Sequence, residues 1–196
     1  MITLEQLLES RDRRAEHQRS LLEAHPDRVL LCLTVQLPGP EKRNAVSLKI
    51  ADAGLEAVRQ AFAMEYEEVR DLETGFEGYF VVPGNPLEAK RRACQIEDQH
   101  PLGRLMDIDV LVSAEANGIG KNIFPGGTGK TNFPEAIANP THADAVMPIG
   151  REEIGLEPRR CLLCGLPARV CMRAHRHSQV ELLAEIQRRV DSYNNC

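Results

Sequence analysis

His100-Pro101-Leu102-Gly103-Arg104-Leu105-Met106-Asp107-Ile108-Asp109-Val110-Leu111-Val112 is the stretch on which the reading of this chain turns. Its second half alternates, with Met106, Ile108, Val110 and Val112 on one side and Leu105, Asp107, Asp109 and Leu111 on the other. Alternation at period two predicts a half-buried strand. One face is then apolar, and the other carries two carboxylates about 6 to 7 Å apart at the Cα. That spacing lets Asp107 and Asp109 converge on one hard cation, a seat suited to Mg²⁺. A solvated strand face is the plain alternative. Gly103 and Arg104 at the strand entrance favour the first reading, because a residue without a Cβ admits close approach and a guanidinium clamps phosphate.

Outward from this strand the chain alternates strands and helices. Thr3 and Gln6 form a capping-box pattern that opens an amphipathic helix running to His25-Pro26. Its Arg11, Asp12, Arg13 and Arg14 are either a solvated face or a cation cluster aimed at the carboxylates. Val29-Leu30-Leu31-Cys32-Leu33-Thr34-Val35 reads as a central strand buried on both faces. It stops at Pro38-Gly39-Pro40, after which Lys42 and Arg43 precede a helix from Val46 to about Met64 and make a candidate anion site. Two short strands, 66–72 and 78–82, precede a helix opened by Asn85-Pro86 and running to about Gln99.

The expected fold is therefore α+β: a mixed β-sheet with flanking helices in a split βαβ-like layout, ending in a C-terminal Cys/His segment plus helix. At 196 residues the chain suits one domain, 1–196. Residues 114–158 hold seven of the 14 glycines and five of the 12 prolines, the composition of a long loop or insertion. Within it, Gly126-Gly127-Thr128-Gly129-Lys130-Thr131 is not a nucleotide-triphosphate loop, because the pattern needs glycine where Phe124 stands.

In the third section, 159–196, Cys161-Leu162-Leu163-Cys164 is followed by Cys171, His175 and His177. These are ligand types for a four-coordinate structural Zn²⁺, with buried reduced thiols as the alternative. The net charge of −5 argues against nucleic acid as the partner. The N-terminus lacks a signal-peptide pattern and no apolar run is long enough to span a bilayer, so no membrane association and a cytoplasmic location are expected.

Several separated motifs together resemble one family, the apo-citrate lyase phosphoribosyl-dephospho-CoA transferases, or holo-citrate lyase synthases. They are Ser10-Arg11-Asp12, Pro38-Gly39-Pro40 with Lys42, His100 to Leu105 leading into Asp107-Ile108-Asp109-Val110, then Arg151, Pro158-Arg159 and Cys161 to Cys164, with Ala168, Cys171, Arg173 and His177 in register. The departure is Glu115 to Met147, longer than the usual connection. The resemblance implies a nucleotidyltransferase-type transfer of a 5-phosphoribosyl-dephospho-CoA group. The donor would be triphosphoribosyl-dephospho-CoA and the acceptor a serine of the citrate lyase acyl carrier subunit, with diphosphate released. Asp107, Asp109 and Arg104 would be catalytic, the two carboxylates holding Mg²⁺. Arg11, Lys42, Arg43, His100, Gly103, Arg151 and Arg159 would bind substrate. Arg159, Arg160, Arg169, Arg173 and Arg176 would supply a basic patch for an acidic carrier. The reading from another class is a non-catalytic zinc-bearing interaction module built on Cys161, Cys164, Cys171 and His177.

Overall fold

Strand β1 (Val29–Val35) is buried through its first five residues and lies third in a five-stranded sheet. A computed structural model describes residues 2–113 and 146–194. Helix α1 (Leu4–Ala24) precedes β1, and α2 (Ala45–Ala61), β2 (Tyr66–Leu72), β3 (Gly75–Val82), α3 (Pro86–Gln99) and β4 (Met106–Ser113) follow it. After the undescribed residues come β5 (Val146–Pro148), α4 (Ala168–Arg173) and α5 (Gln179–Asn194). The sheet order is β2-β3-β1-β4-β5.

Two interlocked crossovers explain that order. β1 and β2 are both antiparallel to β3, so they run parallel to each other with β3 between them. Helix α2 joins them across that gap, which is the split βαβ layout expected from the sequence. In the same way α3 carries the chain from β3 to β4 around β1, to which both are antiparallel. The α+β class, flanking helices and C-terminal Cys/His segment are as expected. The expectation of a mixed sheet is corrected in one respect: every described ladder is antiparallel, because each crossover skips a strand and parallel strands never become neighbours.

The local signals behave as their chemistry requires. Thr3 Oγ1 accepts the Gln6 N–H at 3.2 Å and Gln6 Oε1 accepts the Thr3 N–H at 2.9 Å, so two free donors are satisfied reciprocally. Asn85 Oδ1 accepts from Leu87 and Glu88 N–H, with Pro86 opening α3 where no N–H is needed.

Burial divides the sheet into two faces. Val29, Leu31, Leu33, Phe80, Val82, Ile108, Val110 and Val112 pack under α2, α3 and α5, against Ile50, Val58, Ala93, Ile186 and Val190. On the reverse face Leu30, Cys32, Tyr79, Val81 and Leu111 pack against Leu21 and Leu22 of α1. These two leucines lie in the last turns of α1, so the helix seals only half of that face with apolar contact. The other half carries Thr34, Glu77, Asp107 and Asp109.

Strand β4 is nearly an edge, since β5 pairs only with Leu111 to Ser113. Its remaining outward groups are closed by other partners, as buried backbone demands. Glu97 accepts the Ile108 N–H at 2.9 Å, Lys90 donates to the Ile108 carbonyl at 3.4 Å, and Arg159 donates to the Met106 carbonyl at 2.5 Å. Among the described residues no helix is long and apolar enough to cross a membrane.

Candidate active site and metal cluster

The register of the sheet assembles the polar half-face. Thr34 lies opposite Asp107 on one side and Glu77 on the other, and Cys32 lies likewise between Asp109 and Tyr79. Three carboxylates therefore share one face across three strands. Above it passes the first part of α1, whose Ser10 bonds Thr74 at 2.8 Å and whose Arg14 approaches Glu77 at 3.7 Å.

Asp107 is the best-held of the three. Arg159 Nη1 donates to Oδ1 and Gln36 Nε2 to Oδ2, each at 2.9 Å. Burial nevertheless pushes its carboxyl up to about 6, and the charge of Asp109 adds to this while Arg159 opposes it. Asp109 is shifted upward too, by the protein packed around it, with Lys90, Arg14 and Arg159 acting against the shift. Two same-face carboxylates that are both reluctant to ionise form an undercompensated anionic pair. That donor set is the kind that Mg²⁺ takes, with water and substrate phosphates completing the shell. Glu77 sits deeper, at 5% exposure, and accepts the Tyr79 hydroxyl at 2.6 Å.

A second charged cluster backs Asp107. Glu97 is 2% exposed and receives Arg151 Nη2 at 2.8 Å, with Arg159 Nε at 3.9 Å. Arg151 also bonds Asp98 at 2.8 and 3.0 Å. Arg104 donates to the Arg160 carbonyl. Burial lowers its pKa, as do the charges of Arg159 and Arg151.

The structure thus brings Asp107, Asp109, Arg159, Arg104 and Arg151 into one neighbourhood. Arg11 is exposed and makes no hydrogen bond or ion pair with a described residue. Lys42 donates to the Leu37 carbonyl at 2.6 Å, and Arg43 is held on Asp71 by bonds of 2.8 and 2.7 Å. His100 accepts the Leu102 N–H at 3.1 Å through Nδ1 and leans on Tyr193, where burial lowers its pKa. His100 caps the C-terminal end of α3. Gly103 serves the same turn: a Cβ at this position would stand 2.2 Å from the Ile96 carbonyl oxygen. Residues 114–145, including Gly126 to Thr131, lie outside the described residues.

Sequence reading missed Glu77, Lys90 and Glu97, and singled out Arg11 rather than Arg14 from the cation cluster of α1. A signal to choose between those two existed. Ser10, Arg14, His17 and Leu21 recur at helical spacing with buried Leu21, so Arg14 rather than Arg11 shares the inner stripe. Lys90 and Glu97 likewise share the buried stripe of α3 with Ala89, Ala93 and Cys94.

The Cys/His segment forms a separate centre. One ligand atom from each of Cys161, Cys164, Cys171 and His177 lies within 4.8 Å of all the others, so the cluster can hold a metal ion. Cys164 and Cys171 sulfurs are 3.5 Å apart. Burial pushes the Cys171 thiol up to about 12, and the neighbouring thiols act in the same direction. Burial pushes Cys161 up as well, but bonds from the Leu163 and Cys164 backbone and from the other two thiols outweigh it and hold Cys161 below the usual thiol value. Nε2 of His177 is buried without a hydrogen-bond partner among the described residues.

Comparison with known proteins places the chain in one family. The chain matches the family model described as apo-citrate lyase phosphoribosyl-dephospho-CoA transferase over residues 2–124 and 141–193. It is 30% identical to a probable apo-citrate lyase phosphoribosyl-dephospho-CoA transferase of Streptococcus pyogenes serotype M18, covering 99% of this chain and 88% of that protein. The Escherichia coli O7:K1 enzyme of the same name is 29% identical over 100% of this chain and 92% of its own length. Protein CitXG of Haemophilus influenzae matches 95% of this chain at 31% identity, but the match spans 34% of that longer protein. With the family matched along both described segments, the chain belongs to the apo-citrate lyase phosphoribosyl-dephospho-CoA transferase family.

Proposed function

We propose that this protein transfers the 5-phosphoribosyl-dephospho-CoA group from its triphosphate precursor to a serine of the citrate lyase acyl carrier subunit, with release of diphosphate. The observation that carries the reading is the Asp107/Asp109 pair, aligned on an open sheet face with Arg159 on one oxygen. In the step, the serine oxygen bonds to the phosphorus attached to the ribose, and the bond from that phosphorus to the diphosphate breaks. One of the two carboxylates takes the serine proton where it is not itself a ligand of the cation, the other then holding the metal. Arg159 and Arg14 face the anionic precursor, and their charge-assisted bonds hold its phosphates in line for attack. Mg²⁺ bound at Asp107 and Asp109 would neutralise charge at the reacting phosphorus and orient the leaving group.

In this reading residues 1–196 are one transferase domain of nucleotidyltransferase type working in the cytoplasm, and the loop or insertion expected at 114–158 ends before β5, which belongs to the sheet and to the part matched by the family model. Cys161, Cys164, Cys171 and His177 hold a structural Zn²⁺ that takes no part in the chemistry. The test is the intact mass of apo carrier subunit after incubation with the protein, Mg²⁺ and triphosphoribosyl-dephospho-CoA. A gain equal to the prosthetic group, absent with Asp107→Asn, is the expected result. No gain with competent precursor and carrier would return the protein to the zinc-bearing interaction module.

A further inference from the structure

The segment from Arg159 to Ser178 presents a physical problem. Its one fully buried side chain is Cys171. Leu162, partly buried, packs on the main core, but the other apolar residues that would make a core of the segment's own point outward, with Leu166 at 38%, Val170 at 48% and Met172 at 72% exposure. So little apolar burial holds such a segment weakly, and small units of this kind are held by crosslinks or metals. Yet the segment is shaped. Cys161 N–H donates to the Leu166 carbonyl at 2.7 Å and Ala168 N–H to the Arg159 carbonyl at 2.8 Å, closing a hairpin with Cys164 near its tip. Helix α4 then returns Cys171 to that tip, and His177 follows two residues after a backbone of positive φ at His175.

The four ligand atoms meet where such a hairpin needs its crosslink. A separation of 3.5 Å between Cys164 and Cys171 sulfurs is far beyond the about 2.05 Å of a disulfide. It is close to the edge of a tetrahedron with Zn–S bonds of about 2.3 Å. The unpartnered buried Nε2 of His177 supplies the fourth donor. The hairpin also touches the carboxylate groove directly. Arg159, two residues before Cys161, bonds both Asp107 Oδ1 and the Met106 carbonyl, and the Arg160 carbonyl receives Arg104.

We propose that one Zn²⁺ bound by Cys161, Cys164, Cys171 and His177 fixes the hairpin stem so that Arg159 is held on Asp107, making the metal a positioning device for the active site. The proposal rests on the zinc reading above but not on the identity of the transferred group. Each ligating thiol gives its proton to solvent, and no oxidant or reductant is involved. Arg159 is thereby a positioned residue whose guanidinium cannot leave the groove while the metal is bound.

The experiment uses the full chain and two readouts other than activity. Zinc content and replacement by Co²⁺ are measured first. One metal per chain is expected, with the sulfur-to-cobalt charge-transfer and visible bands of a tetrahedral thiolate site. His177→Cys should retain the metal and Cys161→Ser should lose it. Tryptic cleavage after Arg159 and Arg160 is then followed in the zinc-loaded, chelated and zinc-restored wild-type protein. Chelation should speed it at least tenfold while the helical circular-dichroism signal persists, and zinc should restore protection. Fewer than one metal per ten chains would overturn the zinc reading and this proposal together. One zinc per chain with cleavage unchanged by chelation would keep the site and overturn the positioning role. Full transfer activity alongside either result would leave the functional reading above intact.

Discussion

Asp107 shows how one residue's surroundings set its chemistry. Two bonds from Arg159 and Gln36 favour its charge, but removal from water opposes ionisation more strongly, and the carboxyl moves to about 6 from an ordinary 3.8. Two expected outcomes belong here. Asp107→Asn should lower the rate of transfer more than about a hundredfold, measured by carrier mass gain. The stability effect has the opposite sign to that of a salt-bridged carboxylate. The folded protein binds this proton more tightly than the unfolded chain, so ionised Asp107 costs stability fully above about pH 6 and the cost disappears below 3.8. Thermal melts of Asp107→Asn against the native protein should therefore show a relative gain at pH 8 that shrinks toward pH 4.

At the scale of elements, α3 and β4 are joined by charge as much as by apolar packing. Glu97 satisfies the Ile108 N–H and receives Arg151 in a nearly sealed position. Glu97→Ala would leave the buried Ile108 N–H unpaired and take one of two carboxylate partners from Arg151, which keeps Asp98, and from Arg159, which keeps Asp107, and a loss of about 2 to 3 kcal/mol is expected in urea unfolding. The turn between these elements is equally tight. At Gly103 a Cβ would meet main-chain carbonyls of Ile96 and Glu97 at 2.2 and 2.7 Å, which cannot swing aside as a side chain can. Gly103→Ala should cost about 2 to 3 kcal/mol and lower activity only in proportion to unfolding. A loss of activity in folded protein would instead make this glycine part of the substrate site.

At the scale of the whole molecule, a protein of net charge −5 carries a local excess of arginine. Arg160, Arg169, Arg173 and Arg176 are exposed and make no ion pair with a described acidic residue. Arg159, which the sequence placed in the same patch, is turned inward to Asp107. The remaining four suit docking of an acidic carrier. Reversing Arg169 and Arg173 to Glu should weaken carrier binding about tenfold or more, chiefly at low salt, while precursor binding stays unchanged in calorimetry. Equal loss of both would remove the docking role.

Local chemistry made much of this protein legible. The capping pair Thr3 and Gln6, the Asn85-Pro86 start, the apolar run of β1 and the alternation of β4 each declare their structure through neighbours two to four residues away. They were enough to place Asp107 and Asp109 on one strand face and to group Cys161, Cys164, Cys171 and His177. What the sequence could not state was which distant groups those residues would meet. Both basic residues of Lys42-Arg43 looked free for phosphate, but one is bound to the Leu37 carbonyl and the other to Asp71, 28 positions away. His100 and Gly103, expected at the substrate, also turn the chain out of α3. Glu77 became a neighbour of the carboxylates only through strand register, and Arg159 reached Asp107 across 52 positions of chain. Periodicity encodes which side of an element is wet or dry, whereas partners across the sheet depend on how the crossovers order the strands, and that ordering exists only once the chain has folded.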